Sequence, residues 1–178
     1  MKLKRSHRDQ IPTRDPGASI SGMSVPDAAC TIDPLTRELA RERLDDLMAI
    51  DALVIGEPWN SVQWLHDLPD KWELSRVAMS GTVIAGFLVA SRKGDAIHCH
   101  RIAVAADVNR RGVGTALMKN VAAHGIAHGA TTFTVKAHQT NARSLSFLQH
   151  TGFAIVGRDG HNVLLGAPLS TIAARAIA

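Results

Sequence analysis

The sequence predicts one α/β domain, of the α+β type, and three observations favour it. A chain of 178 residues, of which 46% are hydrophobic, can bury one substantial core but is short for two full domains. Segments with alternating apolar residues, which predict strands, are interspersed with segments of helical spacing. The stretch over residues 98–115 combines both patterns, because an apolar strand end leads through a glycine-containing turn into a helical pattern.

The first half of the domain begins with a short strand and two helices. Residues 28–32 predict an edge strand. Asp33 and Pro34 predict the start of a helix, because Asp caps helices and Pro suits the first helical position, and leucines at helical spacing follow. A loop over residues 56–61 leads to a second helix that contains Trp64.

Strands dominate the second half of the domain. Residues 73–79 and 82–92 predict a hairpin, and a further turn leads into the strand that holds His98. The remaining predicted elements are a helix over 113–128, a strand over 131–137, a helix that begins at Asn141, and a hairpin formed by 153–157 and 162–165.

Charge and composition set the limits of the domain. Residues 1–27 lack periodicity and predict a flexible basic arm, the domain is expected to span 28–167, and the tail over 168–178 is compatible with a helical turn or with disorder. The first fourteen residues hold five basic side chains and one acidic side chain, which accounts for the formal net charge of +4. The body of the chain is therefore neutral and indicates no nucleic-acid partner.

The cysteines and the apolar runs indicate a cytoplasmic protein with no membrane partner. Cys30 and Cys99 form no spacing motif and favour a reducing compartment. The basic N-terminus is not followed by the apolar region of a secretory signal, and no apolar run approaches the ~20 residues of a membrane span. His124 and His128 lie one helical turn apart without a third ligand at metal spacing, so no metal is expected. A homodimer is compatible with the sequence, which does not set the oligomeric state.

The turn after the apolar segment Ile102-Ala103-Val104 predicts an anion site. Gly112 and Gly114 lack the Cβ atoms that would keep an anion from the main chain, and the N–H groups of a first helical turn point outward at the positive end of the helix dipole. Arg110 and Arg111 add positive charge. Such a turn can hold a pyrophosphate, although the glycine pattern alone is equally typical of a tight turn.

Together with a later segment, this turn resembles the GNAT superfamily of acyl-CoA-dependent N-acyltransferases. The order of strand end, basic turn, GxG and helix, followed by Asn141 and the segment from Ser144 to Phe153, is similar to two motifs of that superfamily, and the resemblance covers residues 28–166. It implies the GNAT fold: a mixed, mostly antiparallel sheet with helices on both faces and acetyl-CoA between two diverging parallel strands. Leu148 stands where the family commonly has a Tyr that protonates the leaving thiol, and the chain contains no tyrosine.

The resemblance also implies which residues hold acetyl-CoA. They are Ile102, Ala103, Val104, Asn109, Arg110, Arg111, Gly112, Val113, Gly114, Thr115, Asn141 and Ser144. Main-chain N–H groups around Ala103 and Val104, where the paired strands diverge, are expected to stabilise the oxyanion, and Asn141 to bind the pantetheine arm or to position its helix. Asn109 replaces the Gln or Arg that usually begins the turn motif. The thiolate would be protonated by water, Ser144, Ser146 or His150, or would leave unprotonated.

His98 and His100 are the candidate bases. An aliphatic amine has a pKa near 10 and must lose a proton before it attacks a thioester, so a base with a pKa near 7 is expected. The two histidines alternate along one strand and therefore share a face. The stretch from His98 to Val104 is similar to the H-x-H-x-[LI]-A-V stretch of arylalkylamine N-acetyltransferases, in which both histidines serve proton removal. Ordinary strand histidines with interior hydrogen bonds are the alternative.

The loop that contains Glu57 and Trp59 is expected, by the same resemblance, to form one wall of the acceptor site. Glu57 would supply a counter-charge and Trp59 an apolar or cation–π wall. The alternative is that Glu57 is solvated and Trp59 packs in the core.

These observations predict transfer of an acetyl group from acetyl-CoA to a primary amine of a small molecule by direct attack. Cys99 is not expected to act as a nucleophile, because it alternates with the histidines and so points to the opposite face. One alternative is a catalytically degenerate CoA-binding sensor or partner module, which Leu148 motivates. The other is a protein or peptide N-acetyltransferase. Ribosomal-protein alanine N-acetyltransferases share the motifs, but Lys136 stands here in place of their catalytic Glu.

Overall fold

The computed structural model of the chain describes residues 30–53, 57–106 and 112–175. The strands of this part are β1 (Thr31–Pro34), β2 (Arg76–Ser80), β3 (Val83–Lys93), β4 (Ala96–Val104), β5 (Thr132–His138), β6 (Ala154–Asp159) and β7 (Asn162–Pro168). Its helices are α1 (Arg37–Glu42), α2 (Leu44–Asp51), α3 (Ser61–Leu65), α4 (Lys71–Leu74), α5 (Val113–Ala127), α6 (Ala142–Thr151) and α7 (Leu169–Ala173). The predicted arm over 1–27 lies outside the described residues.

The strands form one mixed sheet in the order β1-β2-β3-β4-β5-β7-β6. Every neighbouring pair is antiparallel except β4 and β5, which are parallel. This arrangement confirms the mostly antiparallel sheet that was predicted. The helix α5 connects the parallel pair, as a parallel connection requires.

Two apolar clusters cover the two faces of the sheet. On one face, α5, α6 and α7 bury Leu117, Leu148 and Leu169 against strand residues such as Phe133. On the other face, α1, α2 and α3 pack against β3, and Trp64 is among the largest buried side chains. The sheet is therefore covered on both faces. The strand β4 contributes to both clusters, since Ile97 and Cys99 belong to the first and Ala103, beyond an irregularity in its pairing with β3, belongs to the second.

The predicted helix start at Asp33 and Pro34 is wrong. Both residues belong to β1, where they pair with Val77 and Arg76 of β2. The first helix begins after Thr36, whose hydroxyl accepts a hydrogen bond from the helix main chain. Pairing with the sheet edge outweighs a local capping signal here, because strand pairing satisfies main-chain groups that a helix end leaves open.

Two further boundaries differ from the prediction. The leucine pattern after Leu35 spans two helices, since α1 ends and α2 begins at Arg43. The strand predicted to begin at Glu73 starts at Arg76, because a helical turn, α4, comes first. Two main-chain hydrogen bonds close that turn, one of them from Ser75 N–H to Lys71 C=O at 2.9 Å.

The segment after residue 167 packs as a helix. Leu169 and Ile172 of α7 are fully buried in the cluster beneath α5. A helical turn, one of the two states compatible with the sequence, is therefore what the structure shows for residues 169–173. Among the helices of the described ranges, none has the length and apolar character needed to cross a membrane.

Candidate active site

A cleft opens where the parallel strand pair ends. β4 and β5 pair only as far as Cys99 with Val135, and β4 then continues along β3 without β5 beside it. The residues that line the cleft are Cys99, His100, Arg101, Ile102, Val135, Lys136, Ala137, His138, Asn141 and Ser144. Three predicted cofactor residues, Ile102, Asn141 and Ser144, therefore meet in one place.

The main chain of β4 directs polar groups into this cleft. Ala105 N–H donates to Ala85 C=O of β3 at 2.9 Å. Alternate residues of an antiparallel strand direct their N–H and C=O groups to the same neighbour. Ala103 therefore also faces β3, whereas Ile102 and Val104 face the cleft. The N–H of Ala103 therefore points to β3, and the N–H groups of Ile102 and Val104 are the ones that face away from β3 on this edge.

The start of α5 lies beside the same cleft. Gly112 is the N-cap and has a φ of 74°, a left-handed conformation that glycine adopts without strain. A Cβ atom on Gly114 would lie 3.1 Å from the Phe147 ring and 3.8 Å from the Val104 side chain. The first turn of α5 thus packs tightly against β4 and α6. Val113 is buried and Thr115 is half-buried, while Asn109, Arg110 and Arg111 lie outside the described residues.

Asn141 holds the start of α6. Its side-chain oxygen accepts a hydrogen bond from Ser144 N–H at 3.0 Å, which is an N-cap bond. Of the two roles predicted for Asn141, positioning of the helix is therefore present in the structure. The bond uses the amide oxygen and leaves the amide NH₂ group as a donor.

His98 and His100 share a face, as their alternation predicts. Their ring centroids lie 4.9 Å apart with the planes at 79°. His98 Nδ1 lies 3.0 Å from Thr134 Oγ1 of β5, and His100 Nε2 lies 2.7 Å from Ser91 Oγ of β3. Each imidazole is therefore held by a hydroxyl from a neighbouring strand.

A β-bulge displaces the strand at the second histidine. Arg101 lies opposite Val89 of β3, and Cys99 lies opposite the next residue, Ala90, so His100 is an extra residue in β4. Bulges redirect side chains and disturb strict alternation. In consequence, His100 and the residue that follows it, Arg101, both lie near the ring of Trp59.

Burial keeps both histidines uncharged at neutral pH. It lowers the pKa of His98 to about 4, with smaller contributions from the charges of Lys93 and Lys136. Burial likewise lowers the pKa of His100 to about 4, with His98, Lys93 and Lys71 adding to the effect. The expected pKa near 7 is therefore wrong. A neutral imidazole has the lone pair that accepts a proton but holds that proton weakly, which suits a relay to solvent.

The loop that contains Glu57 and Trp59 is tied to β4 by a buried ion pair. Asp51 is fully buried at the end of α2, and its carboxylate accepts hydrogen bonds from Arg101 Nε and, at 2.7 Å, from Trp59 N–H. The Arg101 guanidinium also donates to Glu57 C=O at 2.9 Å. One carboxylate and one guanidinium thus hold the loop that carries both predicted acceptor residues.

The contacts of Trp59 and Glu57 bear on the roles that were predicted for them. The Trp59 ring already has two cations of the protein beside it, because Arg101 lies 5.8 Å and Lys71 6.0 Å from its centroid. Trp59 also contacts Trp64 and lies 6.5 Å from the His100 ring. The Trp59 ring therefore has two protein cations and two other rings as neighbours. Glu57 is exposed, and its hydrogen bond to Arg101 is made through its main chain.

A family comparison agrees with this geometry. The model of the acetyltransferase (GNAT) family matches residues 41–153. The chain belongs to the GNAT family. It is accordingly an acyl-CoA-dependent N-acetyltransferase. The curated proteins contain no match to this GNAT sequence.

Solved structures of other GNAT proteins share the fold. Ard1 from Thermoplasma volcanium is 21% identical with a TM-score of 0.68, over 79% of this chain and 98% of that chain. The ribosomal-protein-S18-alanine N-acetyltransferase from Escherichia coli is 18% identical with a TM-score of 0.67, over 79% and 94%. The PaiA N-acetyltransferase from Thermoplasma acidophilum, in complex with coenzyme A, is 15% identical with a TM-score of 0.67, over 79% and 99%. Identities of this size show a common fold.

The GNAT domain has an apolar residue where the family tyrosine was expected. Leu148 is 1% exposed and packs in the cluster beneath the sheet. Of the three side chains that could replace the tyrosine, Ser144 lines the cleft, whereas Ser146 and His150 are exposed on α6 and are not among the cleft residues. Among the side chains predicted to protonate the thiolate, Ser144 is thus the one that lines the cleft within the described residues.

Cys99 and the pair His124 and His128 have surroundings that are typical of structural residues. Cys99 is buried beneath α5, and burial raises the pKa of its thiol to about 12, so a reactive thiolate is disfavoured. His124 and His128 stack at the end of α5 with centroids 4.2 Å apart. The described residues contain no group of three or more metal-ligating side chains.

Sequence reasoning missed four residues of this site: Thr134, Ser91, Asp51 and Arg101. Alternation in β5 does mark Thr134 as the polar position between two apolar ones. Nothing local connects Thr134 to His98, however, because their contact depends on the register of two strands. The burial of Asp51 could not be predicted from the sequence either, since an acidic residue at a helix end normally has an exposed side chain.

Proposed function

We propose that this GNAT protein transfers the acetyl group of acetyl-CoA to a primary amine of a small molecule by direct attack, with His98 or His100 removing the amine proton. One observation carries the proposal. The ring centroids of the two imidazoles lie 4.9 Å apart on β4, one on each side of the point where β4 and β5 separate, and main-chain groups of β4 face the cleft beyond that point.

The residues around the cleft fit a thin thioester arm. Ile102 and Val104 direct their main-chain groups into it, and the β4–β5 ladder has already ended at Cys99, so neither has a strand partner on that side within the described chain. Gly112 and Gly114 place no side chain at two positions around the start of α5. The first N–H groups of a helix lack partners within the helix and attract phosphate oxygens. Asn109, Arg110 and Arg111 remain predicted contributors to phosphate binding.

The protein groups then account for each step of the transfer. A neutral histidine takes one proton from the ammonium, which frees the nitrogen lone pair to attack the thioester carbonyl carbon. The oxygen of that carbonyl becomes negatively charged and accepts hydrogen bonds from Ile102 or Val104 N–H. The carbon–sulfur bond breaks, and the second amine proton ends on the departing sulfur through water or Ser144. A thiol pKa near 8.5 makes such a leaving group tolerable without a strong acid beside it.

The choice of a small acceptor rests on the charges beside the cleft. Lys136 forms an ion pair with Asp159 at 2.7 Å. In the ribosomal-protein alanine N-acetyltransferases that the sequence resembles, a catalytic glutamate is expected at this position. That position therefore supplies no base, and the histidines of β4 take over the role. Trp59 offers an apolar wall for the body of the amine.

The test uses the full chain, acetyl-CoA and a panel of primary amines that contains 2-phenylethylamine, spermidine, glucosamine, free lysine and a peptide with a free N-terminus. We expect release of CoA with at least one small amine, and heat on titration with acetyl-CoA. His98→Ala combined with His100→Ala should shift the alkaline rise of the rate upward, whereas the control His124→Ala should not.

Each other outcome has a distinct meaning. Binding of acetyl-CoA without turnover of any amine would favour a sensor or partner module. Turnover of the peptide alone would favour protein acetylation. An unchanged pH profile in the double variant would exclude both histidines as bases, and no heat with any coenzyme A derivative would overturn the proposal.

A further inference from the structure

The two histidines differ in the hydrogen bonds that they already make, and this difference separates their roles. Thr134 has one hydroxyl proton, which it donates to Ile97 C=O at 3.2 Å. A carbonyl oxygen can only accept, so the direction of this bond is fixed. The same hydroxyl lies 3.0 Å from His98 Nδ1. Both bonds form at once only when Nδ1 of His98 carries the proton and donates it to Thr134 Oγ1, and this arrangement satisfies all three groups.

A neutral imidazole has a single N–H, so the other nitrogen of His98 has a free lone pair. That nitrogen is Nε2, and no protein partner contacts it within hydrogen-bond distance among the described residues. His98 therefore has an open acceptor, and its ring lies beside that of His100.

His100 is arranged in the opposite sense. Ser91 is 1% exposed, and its hydroxyl lies 2.7 Å from His100 Nε2. Within the described ranges, Nε2 is the one acceptor near enough to take the Ser91 proton. A buried hydroxyl that gave up this bond would leave its proton unsatisfied, at a cost of about 1–3 kcal/mol. Ser91 therefore donates, Nε2 of His100 is already occupied, and its Nδ1 carries the proton.

We infer that His98, through Nε2, is the group that takes the proton of the amine, and that Thr134 is the positioning residue that holds His98 in the required tautomer. This inference rests on the proposed function, which leaves the choice between the two histidines open. His100 would then help to line the site without accepting the proton itself.

The proton has a complete path in this assignment. It leaves the ammonium, whose N–H electron pair stays on the nitrogen, and it binds His98 Nε2, so that His98 becomes an imidazolium with both nitrogens protonated. Nδ1–H continues to donate to Thr134. His100, Lys93 and Lys136 are the titratable and charged groups whose fields act on this imidazolium, and all three disfavour its charge when they are protonated. The proton therefore passes on to solvent before the next turnover.

A spectroscopic experiment tests the tautomer directly. The full chain is labelled with ¹⁵N-histidine, and long-range ¹H–¹⁵N correlations at pH 7 report which nitrogen of each ring carries the proton, with His98→Gln and His100→Gln assigning the signals. We expect Nδ1–H at His98 and at His100. Thr134→Val should move the His98 proton toward Nε2, whereas Thr134→Ser, which keeps the hydroxyl, should not. Thr132→Val, a hydroxyl removed from the same strand, is the matched control.

Kinetics with acetyl-CoA and the panel amine that is turned over fastest test the role. We expect His98→Gln to lower kcat about 10²-fold, the usual contribution of a general base, and His100→Gln to lower it at least tenfold less. Thr134→Val should lower kcat with unchanged affinity for acetyl-CoA, and Thr134→Ser should restore it.

The failures of the two proposals differ. If His100→Gln carries the larger loss, or if the unmodified chain shows its His98 proton on Nε2, the assignment to His98 is wrong while a histidine base stands. If neither glutamine variant changes kcat, the histidine base of the proposed function is itself wrong. The tautomer of the unmodified chain decides the assignment even where Thr134→Val does not fold.

Discussion

The carboxylate of Asp51 and the guanidinium of Arg101 form an ion pair that joins α2 to the middle of β4. Asp51 has no exposed side-chain surface, and Arg101 exposes 13% of its side chain. The same carboxylate accepts the N–H of Trp59. The position of the acceptor loop relative to the histidines therefore depends on a contact between residues fifty positions apart in the sequence.

Removing the charge of Asp51 should weaken both the fold and the acceptor site. Asp51→Asn leaves a nearly buried guanidinium without its counter-charge, which is expected to lower the free energy of unfolding by about 3 kcal/mol. The KM for the amine should rise while the affinity for acetyl-CoA stays unchanged. Urea denaturation and steady-state kinetics measure the two effects. Asp46→Asn, which removes an exposed ion pair with Arg43, is the control and should cost less than about 1 kcal/mol. Equal losses in the two variants would contradict the structural role of Asp51.

Stability should fall as the pH falls from about 6.5 to about 4. Burial lowers the pKa of His98 and of His100 to about 4, whereas unfolded histidines titrate near 6.5. Between these values the unfolded chain binds more protons than the folded chain, so acid favours unfolding and stability rises with pH across this window. Above pH 7 these histidines are neutral in the folded and in the unfolded chain, so their full contribution to stability is present there.

Urea midpoints at pH 7 and pH 5 measure this dependence. The double variant His98→Asn with His100→Asn should have a shallower dependence, but not a flat one, because the pKa of His124 is also lowered by burial. A pH dependence identical to that of the unmodified chain would show that the two imidazoles are not buried as described.

A methyl group at Gly86 should disturb the strand that borders the cleft. A Cβ atom there would lie 2.8 Å from Ala103 O and 3.2 Å from Val104 Cα, both main-chain atoms that cannot move aside independently. Gly86→Ala is therefore expected to cost about 1–3 kcal/mol of stability and to weaken acetyl-CoA binding, measured by calorimetry. Gly157→Ala on the edge strand β6, where the nearest atom is the end of Leu164 at 3.4 Å, should have little effect on either quantity. A stable Gly86→Ala variant with unchanged binding would show that β3 and β4 do not approach so closely.

No acetyl group should become attached to Cys99 during turnover. The thiol is buried on the face opposite the histidines, and burial raises its pKa to about 12, so almost no thiolate is present at pH 7. Mass spectrometry of the protein quenched with acetyl-CoA should find no acetyl adduct. Cys99→Ala should retain kcat within about threefold, since the change removes little volume from the core. A stoichiometric acetyl adduct that disappears in Cys99→Ala would instead establish a covalent route.

Local patterns predicted most of the architecture because their signals act over a few residues. The glycines before α5, the Asn141 cap of α6 and the apolar alternation of β5 each specify an element from neighbouring side chains alone. The prediction was wrong where a distant partner decided the outcome. Asp33 and Pro34 have the local features of a helix start, yet they pair with β2. Pairing along the edge of the sheet satisfies more main-chain hydrogen-bonding groups than a helix cap does.

The sequence by itself determined that the chain is a GNAT-type α/β domain, that a glycine turn follows the strand Ile102-Ala103-Val104, and that His98 and His100 share a face. Only the tertiary structure decided which hydroxyl each histidine contacts, where β4 leaves β5, and how burial changes the pKa of both imidazoles. The physical reason is that periodicity is local, whereas strand register and burial arise from packing between separate elements, which brings together residues as far apart in the sequence as His98 and Thr134. Thr134 shows this most clearly, since its place beside His98 depends on the register between β4 and β5.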